Sequence, residues 1–171
     1  MMTEKSPDQN ISFEQFPRLS PIAVALLTIL TLGFYVPYWL YTRTRIIDKL
    51  HTGKPVPSLL IALCMGGYIM LLVLIFQVPT NLSPEQIMNA PEFSRLMNAA
   101  MVINMMQLCW AFLFLQRIND CTNAKPGEPL YGNYIILVLA HLLIVNVYYL
   151  QYKINQINDS RQKTDNIIGL M

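Results

Sequence analysis

Four stretches of the chain contain no Asp, Glu, Lys or Arg: those between Arg18 and Arg43, Lys54 and Glu85, Arg95 and Arg117, and Glu128 and Lys153. All 22 charged residues, 12 Lys and Arg with 10 Asp and Glu, lie outside them. A helix crossing hydrocarbon needs about 20 apolar residues at ~1.5 Å rise, and each stretch is long enough for one crossing. The charged share is 13%, roughly half that of soluble domains, which argues against an ordinary soluble globule. The pattern predicts an all-α integral membrane bundle of four transmembrane helices. The spans fall near 21–41, 58–78, 97–116 and 133–152, between a polar N-terminal tail, 1–20, and a polar C-terminal tail, 153–171.

The segments outside the spans are too short to bury a core, so no soluble catalytic domain is expected. The net charge of +2 is small and the basic residues are scattered, which excludes a nucleic-acid partner. Cys64, Cys109 and Cys121 form no CxxC pair and are odd in number, which fits neither a disulfide framework nor a zinc site. The opening MMTEKSPDQNISFEQFP is polar and acidic rather than basic and apolar, so the first span is expected to persist rather than be cleaved as a signal.

Ser20 stands at a cap position and Pro21 at the first helical position of span one. Pro37 cannot donate to Gly33 four residues back, which predicts a kink or local unwinding from 33 to 37. Phe34, Tyr35, Tyr38, Trp39 and Tyr41 then precede Arg43 and Arg45 as an aromatic belt before basic anchors. In span two, Gly66 and Gly67 permit close helix approach. Ser83, Pro84 and Gln86 predict a short capped helix in the following connector.

An internal repeat is visible. Arg45-Ile46-Ile47-Asp48 leads to Lys54-Pro55, and Arg117-Ile118-Asn119-Asp120 leads to Lys125-Pro126, so the bundle is open to reading as two repeated helical hairpins with both connectors on one side. Arg43, Arg45, Lys49 and Lys54 place the first connector in the cytoplasm. Four full spans would then leave both termini periplasmic, yet Lys153, Arg161 and Lys163 pull the C-terminal tail inward, and the Lys and Arg totals tie at six a side. A re-entrant first span, broken between Gly33 and Pro37, removes the conflict; four full spans is the simpler expectation.

The segment LLTILTLGFYVPYWLYTRTR, 26–45, resembles the signature of a family of small bacterial membrane proteins catalogued as domain of unknown function 4234, whose opening run reads like LLxxxTLGxYxxYWxYR. Thr31, Leu32, Gly33, Tyr35, Tyr38, Trp39 and Tyr41 stand in matching order, with Arg43 just beyond, and Gln151 and Asn155 resemble the family's polar exit. Pro37 departs from the small residue more usual there. The resemblance implies a multi-pass helical protein of the bacterial inner membrane and no established activity.

Polar side chains inside spans are costly and turn toward protein, so His141, Asn146, Asn104 and Gln107 are the candidate functional positions. Asn104 and Gln107 share a helix face, where interhelical hydrogen bonds are the simplest role. His141 has no carboxylate within a span to form a proton relay. Met97, Met101 and Met105 form a soft-sulfur stripe that raises copper(I), but no spacing joins them to His141. The matched acids Asp48 and Asp120 are expected to pair with Arg45 and Arg117 three residues earlier rather than act as an acid–base pair. No catalytic, cofactor or metal set is found, and no cofactor is expected. These features favour a non-enzymatic accessory or scaffold subunit, in contact with the lipid bilayer and forming a homo-oligomer or binding a membrane-protein partner. The alternatives are a small oligomeric transporter or channel, or an enzyme acting on lipid head groups.

Overall fold

A computed structural model describes residues 16–50, 53–143 and 145–168, apart from the side chains of 161 and 164–168. His51, in the first connector, and most of the N-terminal tail lie outside the described residues. Among them every regular element is helical: α1 (Pro21–Leu30), α2 (Tyr35–Leu50), α3 (Ser58–Gln77), α4 (Pro84–Met88), α5 (Pro91–Thr122), α6 (Tyr134–Leu142) and α7 (Asn146–Ile168).

Two of the four charge-free stretches form single helices, and two do not. α3, with 20 residues, and α5, with 32, are long and apolar enough to cross a membrane. α5 exceeds its expected bounds at both ends. It starts on Pro91 and stops where Asn123 takes a left-handed φ of 52°, a common way to terminate a helix. α4 has the expected capping box, in which the Ser83 hydroxyl and the Gln86 amide bond each other's backbone N–H.

The stretches expected to be spans one and four are each broken into a short apolar helix and a long polar one. Ser20 occupies the cap position of α1, but its hydroxyl makes no capping bond. At the other end of α1, Leu32 and Gly33 both have positive φ, 50° and 89°, and Gly33 N–H donates to the Thr28 carbonyl at 2.7 Å. The Thr31 hydroxyl donates to Leu27 C=O at 2.7 Å and accepts Tyr35 N–H at 2.9 Å, closing one helix while capping the next. Pro37 therefore does not kink a continuous helix. It is the third residue of α2, where its missing N–H costs no helical hydrogen bond.

The break reverses the chain. The Gln151 side chain accepts from Trp39 Nε1 at 3.1 Å and donates to Pro17 C=O at 3.4 Å. An unbroken helix would separate positions 17 and 39 by about 33 Å, far beyond the reach of one amide, so α2 must double back along α1. The second reversal is shown the same way. Tyr149 Oη accepts from Asn133 N–H at 2.6 Å, and Lys153 Nζ donates to Pro129 C=O at 2.8 Å, so α7 returns along α6. With 10 and 9 residues, α1 and α6 are each roughly half the length that a crossing requires.

The internal repeat is therefore one of hairpins as well as of connectors. Val36, Tyr38, Tyr41, Ile46 and Asp48 of α2 reappear in the same order and spacing in α7 as Val147, Tyr149, Tyr152, Ile157 and Asp159. The matched connectors are held at one end of the molecule by different devices. Asp48 accepts Val56 N–H at 3.2 Å, and Asn119 exchanges two hydrogen bonds with the backbone of Gly132, at 2.7 and 3.1 Å. The expected ion pair of Arg45 with Asp48 does not form. Arg45 lies over the Tyr41 ring and Asp48 reaches across to Arg117 at 3.1 Å, because α2 packs beside α5.

The core lies where α2, α5 and α7 meet, with Trp39, Trp110 and Phe114 fully buried. Trp39 packs edge-on against Phe114, and Trp110 Nε1 donates to Thr44 Oγ1 at 2.9 Å. α3 packs mainly on α5, and Gly67 faces Ile103 so closely that a Cβ there would come within 2.7 Å of it, whereas Gly66 faces open space. At Gly33 a Cβ would meet nothing within 4 Å, so its role is set by its φ of 89° rather than by room for Pro37. Gly33→Ala should therefore cost about 1 kcal/mol in backbone strain, and Pro37→Ala should be near neutral; thermal unfolding of the purified variants checks both. A Gly33→Ala protein as stable as its parent would mean the turn does not need its left-handed residue.

Candidate functional site

The two hairpin tips meet α3 and α5 around a cavity of about 610 Å³. Leu32, Gly33 and Val36 come from the first tip, His141 and Asn146 from the second, Tyr68 from α3, and Asn104 and Gln107 from α5. All four polar positions singled out within the charge-free stretches thus line one space. Tyr68, Leu32 and Val36 were not anticipated as site residues. A tyrosine in an apolar run reads as an ordinary aromatic, and the tip exists only once the chain is known to reverse.

The polar groups are held in defined states. Tyr68 Oη donates to Gln107 Oε1, joining α3 to α5, and the Tyr68 ring packs edge-on against Phe34. Val147 N–H donates to Asn146 Oδ1 at 3.0 Å, which turns the Asn146 NH₂ toward His141. Asn146 Nδ2 stands 3.0 Å from His141 Nδ1, so Nδ1 accepts and the ring proton resides on Nε2. His141 is only 7% exposed, yet Nε2 makes no hydrogen bond; the Asn104 carbonyl lies near the ring without the geometry of one. Asn146, the first residue of α7, therefore accepts the next backbone N–H and presents its NH₂ to His141 Nδ1 at once.

Among the described residues, the cavity wall contains no Asp, Glu, Lys or Arg. It offers hydrogen-bond donors and acceptors in an apolar setting. Met97 and Met101 reach its rim, while Cys64 is buried elsewhere and Cys109 is exposed. Among the described residues no group of three or more His, Cys, Asp or Glu could hold a metal ion.

The signature positions build the first hairpin rather than the cavity wall, Leu32 and Gly33 excepted. Thr31 and Gly33 form the turn, Tyr35 starts α2, Trp39 is bound by Gln151, and Tyr38 is exposed. Arg43 is buried with its guanidinium 5.5 Å from the Trp39 ring, and its Nη1 donates to Thr42 Oγ1 at 3.0 Å. A second, 340 Å³ cleft is walled by Tyr131, Tyr148, Tyr149 and Tyr152 beside Lys153, whose ammonium burial holds below its ordinary pKa.

Gln151→Leu should strand the buried Trp39 N–H and free two polar partners, lowering stability by about 1–3 kcal/mol. Trp39→Phe should remove most of that penalty in the Gln151→Leu background, a coupling measurable by a double-mutant cycle of unfolding free energies. Strictly additive losses would show that the pair does not hold the hairpins together.

The profile of a family described as Domain of unknown function (DUF4234) matches residues 20–160, from the cap of α1 into α7. No curated protein and no solved structure matches the chain.

Proposed function

The chain belongs to the DUF4234 family, and from that premise we propose a non-enzymatic, multi-pass protein of the bacterial inner membrane that binds a small molecule in the cavity between its hairpin tips. The observation that carries this reading is the convergence of His141, Asn146, Asn104 and Gln107 on one space.

The membrane reading rests on surface chemistry as well as on length. α3 buries only Cys64, and Ile22, Leu30, Leu59, Phe76, Ile135 and Leu142 are all exposed, an apolar surface beyond what a soluble monomer tolerates. On this reading α3 and α5 cross fully, while the α1–α2 and α6–α7 hairpins enter and leave on the same side. Both termini and both connectors then share that side. Among the described residues every Lys and Arg except Arg95 lies there, so the tie expected from four full spans disappears and that side is cytoplasmic.

After replacement of the native cysteines, single cysteines at positions 49, 123 and 160 should resist a membrane-impermeant thiol reagent in intact cells, and one at position 82 should react. Labelling at 160 with protection at 49 would restore four full spans. For function, His141→Leu and Asn104→Leu should leave membrane abundance intact and abolish complementation of a gene deletion.

Two half-length hairpins meeting inside the bundle also suit a small transporter, a second reading that predicts His141-dependent solute flux in liposomes. An accessory or scaffold subunit, alone or as an oligomer, would instead lose function on bulky substitution along the exposed α3 face and survive His141→Leu.

A further inference from the structure

Resting on the reading in which α3 and α5 cross a bilayer, we propose that two copies of the chain associate side by side through the half of α5 nearer α4. The seam is Ser94, Asn98, Met101 and Met105, and each copy covers the open flank of the other's cavity.

The first observation is a pair of amides at membrane depth. α3 has 20 residues and a length of about 30 Å, the thickness of the hydrocarbon, so its middle marks the bilayer midplane. Gly67 faces Ile103 and Tyr68 bonds Gln107, which sets Asn104 close to that plane. Asn98 lies about 9 Å farther toward α4, six residues nearer the start of the helix. Both residues are exposed, both line the cavity, and neither side-chain amide makes a hydrogen bond among the described residues. The exposed residues of α3 from Leu59 to Phe76, and of α6 from Ile135 to Leu142, are by contrast all apolar. Acyl chains suit those surfaces but offer an amide nothing to bond, and polar residues within spans turn toward protein.

The second observation is complementarity, which selects a further copy of this chain as the cover. An amide carries both a donor and an acceptor, so it matches its own image across a two-fold axis. Positions 94, 98, 101 and 105 step by four, three and four, the spacing of helices that pack side by side, and an amide within such a seam fixes its register. Met101, 66% exposed, stands at the centre of the strip. The ionised residues closest to it in the helix, Glu92 and Arg95, fall outside the seam and pair with each other at 3.1 Å. Identical copies therefore meet there without like-charge repulsion.

The third observation is where the strip is bare. α6 ends at Leu142 after 9 residues, and its Tyr134 stacks on Phe112 of α5 toward the connectors. The hairpins thus flank α5 on the connector side and leave its other half uncovered. The excess of Lys and Arg at the connector end orients every copy the same way, so the two bare halves meet in parallel. Asn104 then sits beside the seam, and the two cavities open toward each other with residues of both copies around them.

The test uses the full chain in its own membranes and in phosphatidylcholine liposomes. After replacement of the native cysteines, single cysteines at positions 98, 101 and 105 should give disulfide-linked dimers under mild oxidation, and those at positions 69 and 139, on the exposed faces of α3 and α6, should not. Subunit counting by single-molecule photobleaching at increasing lipid dilution should show a monomer–dimer equilibrium. Asn98→Leu should raise its dissociation constant about threefold, Asn98→Gln less, and Met101→Trp should abolish dimers with helicity by circular dichroism unchanged.

Monomers at every dilution would overturn the proposal, as would linkage through position 69 in place of 101, or a dimer unaffected by Met101→Trp. A monomer whose cysteine at position 98 reacts with a water-soluble thiol reagent would mean that water covers these amides, and would equally overturn it. Labelling at position 82 with no dimer removes the seam and leaves the crossing reading standing; protection of position 82 removes the crossing reading itself, and the seam with it.

Discussion

The amide of Gln151 is the interaction on which the rest of the architecture depends. One side chain accepts the indole proton of α2, donates to the backbone ahead of α1 and donates to Asn155 Oδ1, while Asn155 in turn donates to Leu19 C=O at 2.8 Å. Three chain segments are thereby fixed where apolar packing alone, which has no direction, would leave them free to slide. Removing water from such a network strengthens each bond in it and raises the penalty for any member left unpaired. The first hairpin is therefore pinned at its open end by hydrogen bonds from the second, and at its closed end by Thr31 and Gly33.

Once both hairpins are pinned, their tips come together, and the cavity follows as the space that two half-length hairpins cannot fill beside two full-length helices. Its polarity comes from residues performing structural tasks at the same time. Asn146 starts a helix and orients an imidazole; Gln107 accepts from Tyr68 across a helix pair. His141 alone in this group retains a buried, unused donor.

The helical content and the four charge-free stretches were legible in the sequence, but the path of the chain was not. Hydropathy counts apolar residues without recording their direction, and a charge-free stretch of about 24 residues serves one full crossing or two half-crossings equally well. The first break did leave a local trace in Gly33 and Pro37, although its cause was the left-handed turn rather than the proline. The second left only Asn146, since Leu142, Leu143 and Val145 include no breaker. Within the site, His141, Asn146, Asn104 and Gln107 were visible because polar residues stand out against apolar surroundings. Their convergence was hidden, being a property of the reversals, and Tyr68 was hidden by its resemblance to any other aromatic.

The placement of both hairpin openings at one end has a consequence for how the chain enters a bilayer. On the two-crossing reading, the segment from the end of α3 through the first turns of α5 is the part of the described chain that must pass to the far side, carrying little more than α4, Glu85, Glu92 and Arg95. The two hairpins can wedge in afterwards from the side of synthesis, with no charge dragged through hydrocarbon and no polar tail left stranded. On the same reading, biogenesis divides into one translocation event followed by docking of the hairpins on a helix pair already in place, and the Gln151 contacts, which join positions 17, 39 and 151, form across that docked arrangement.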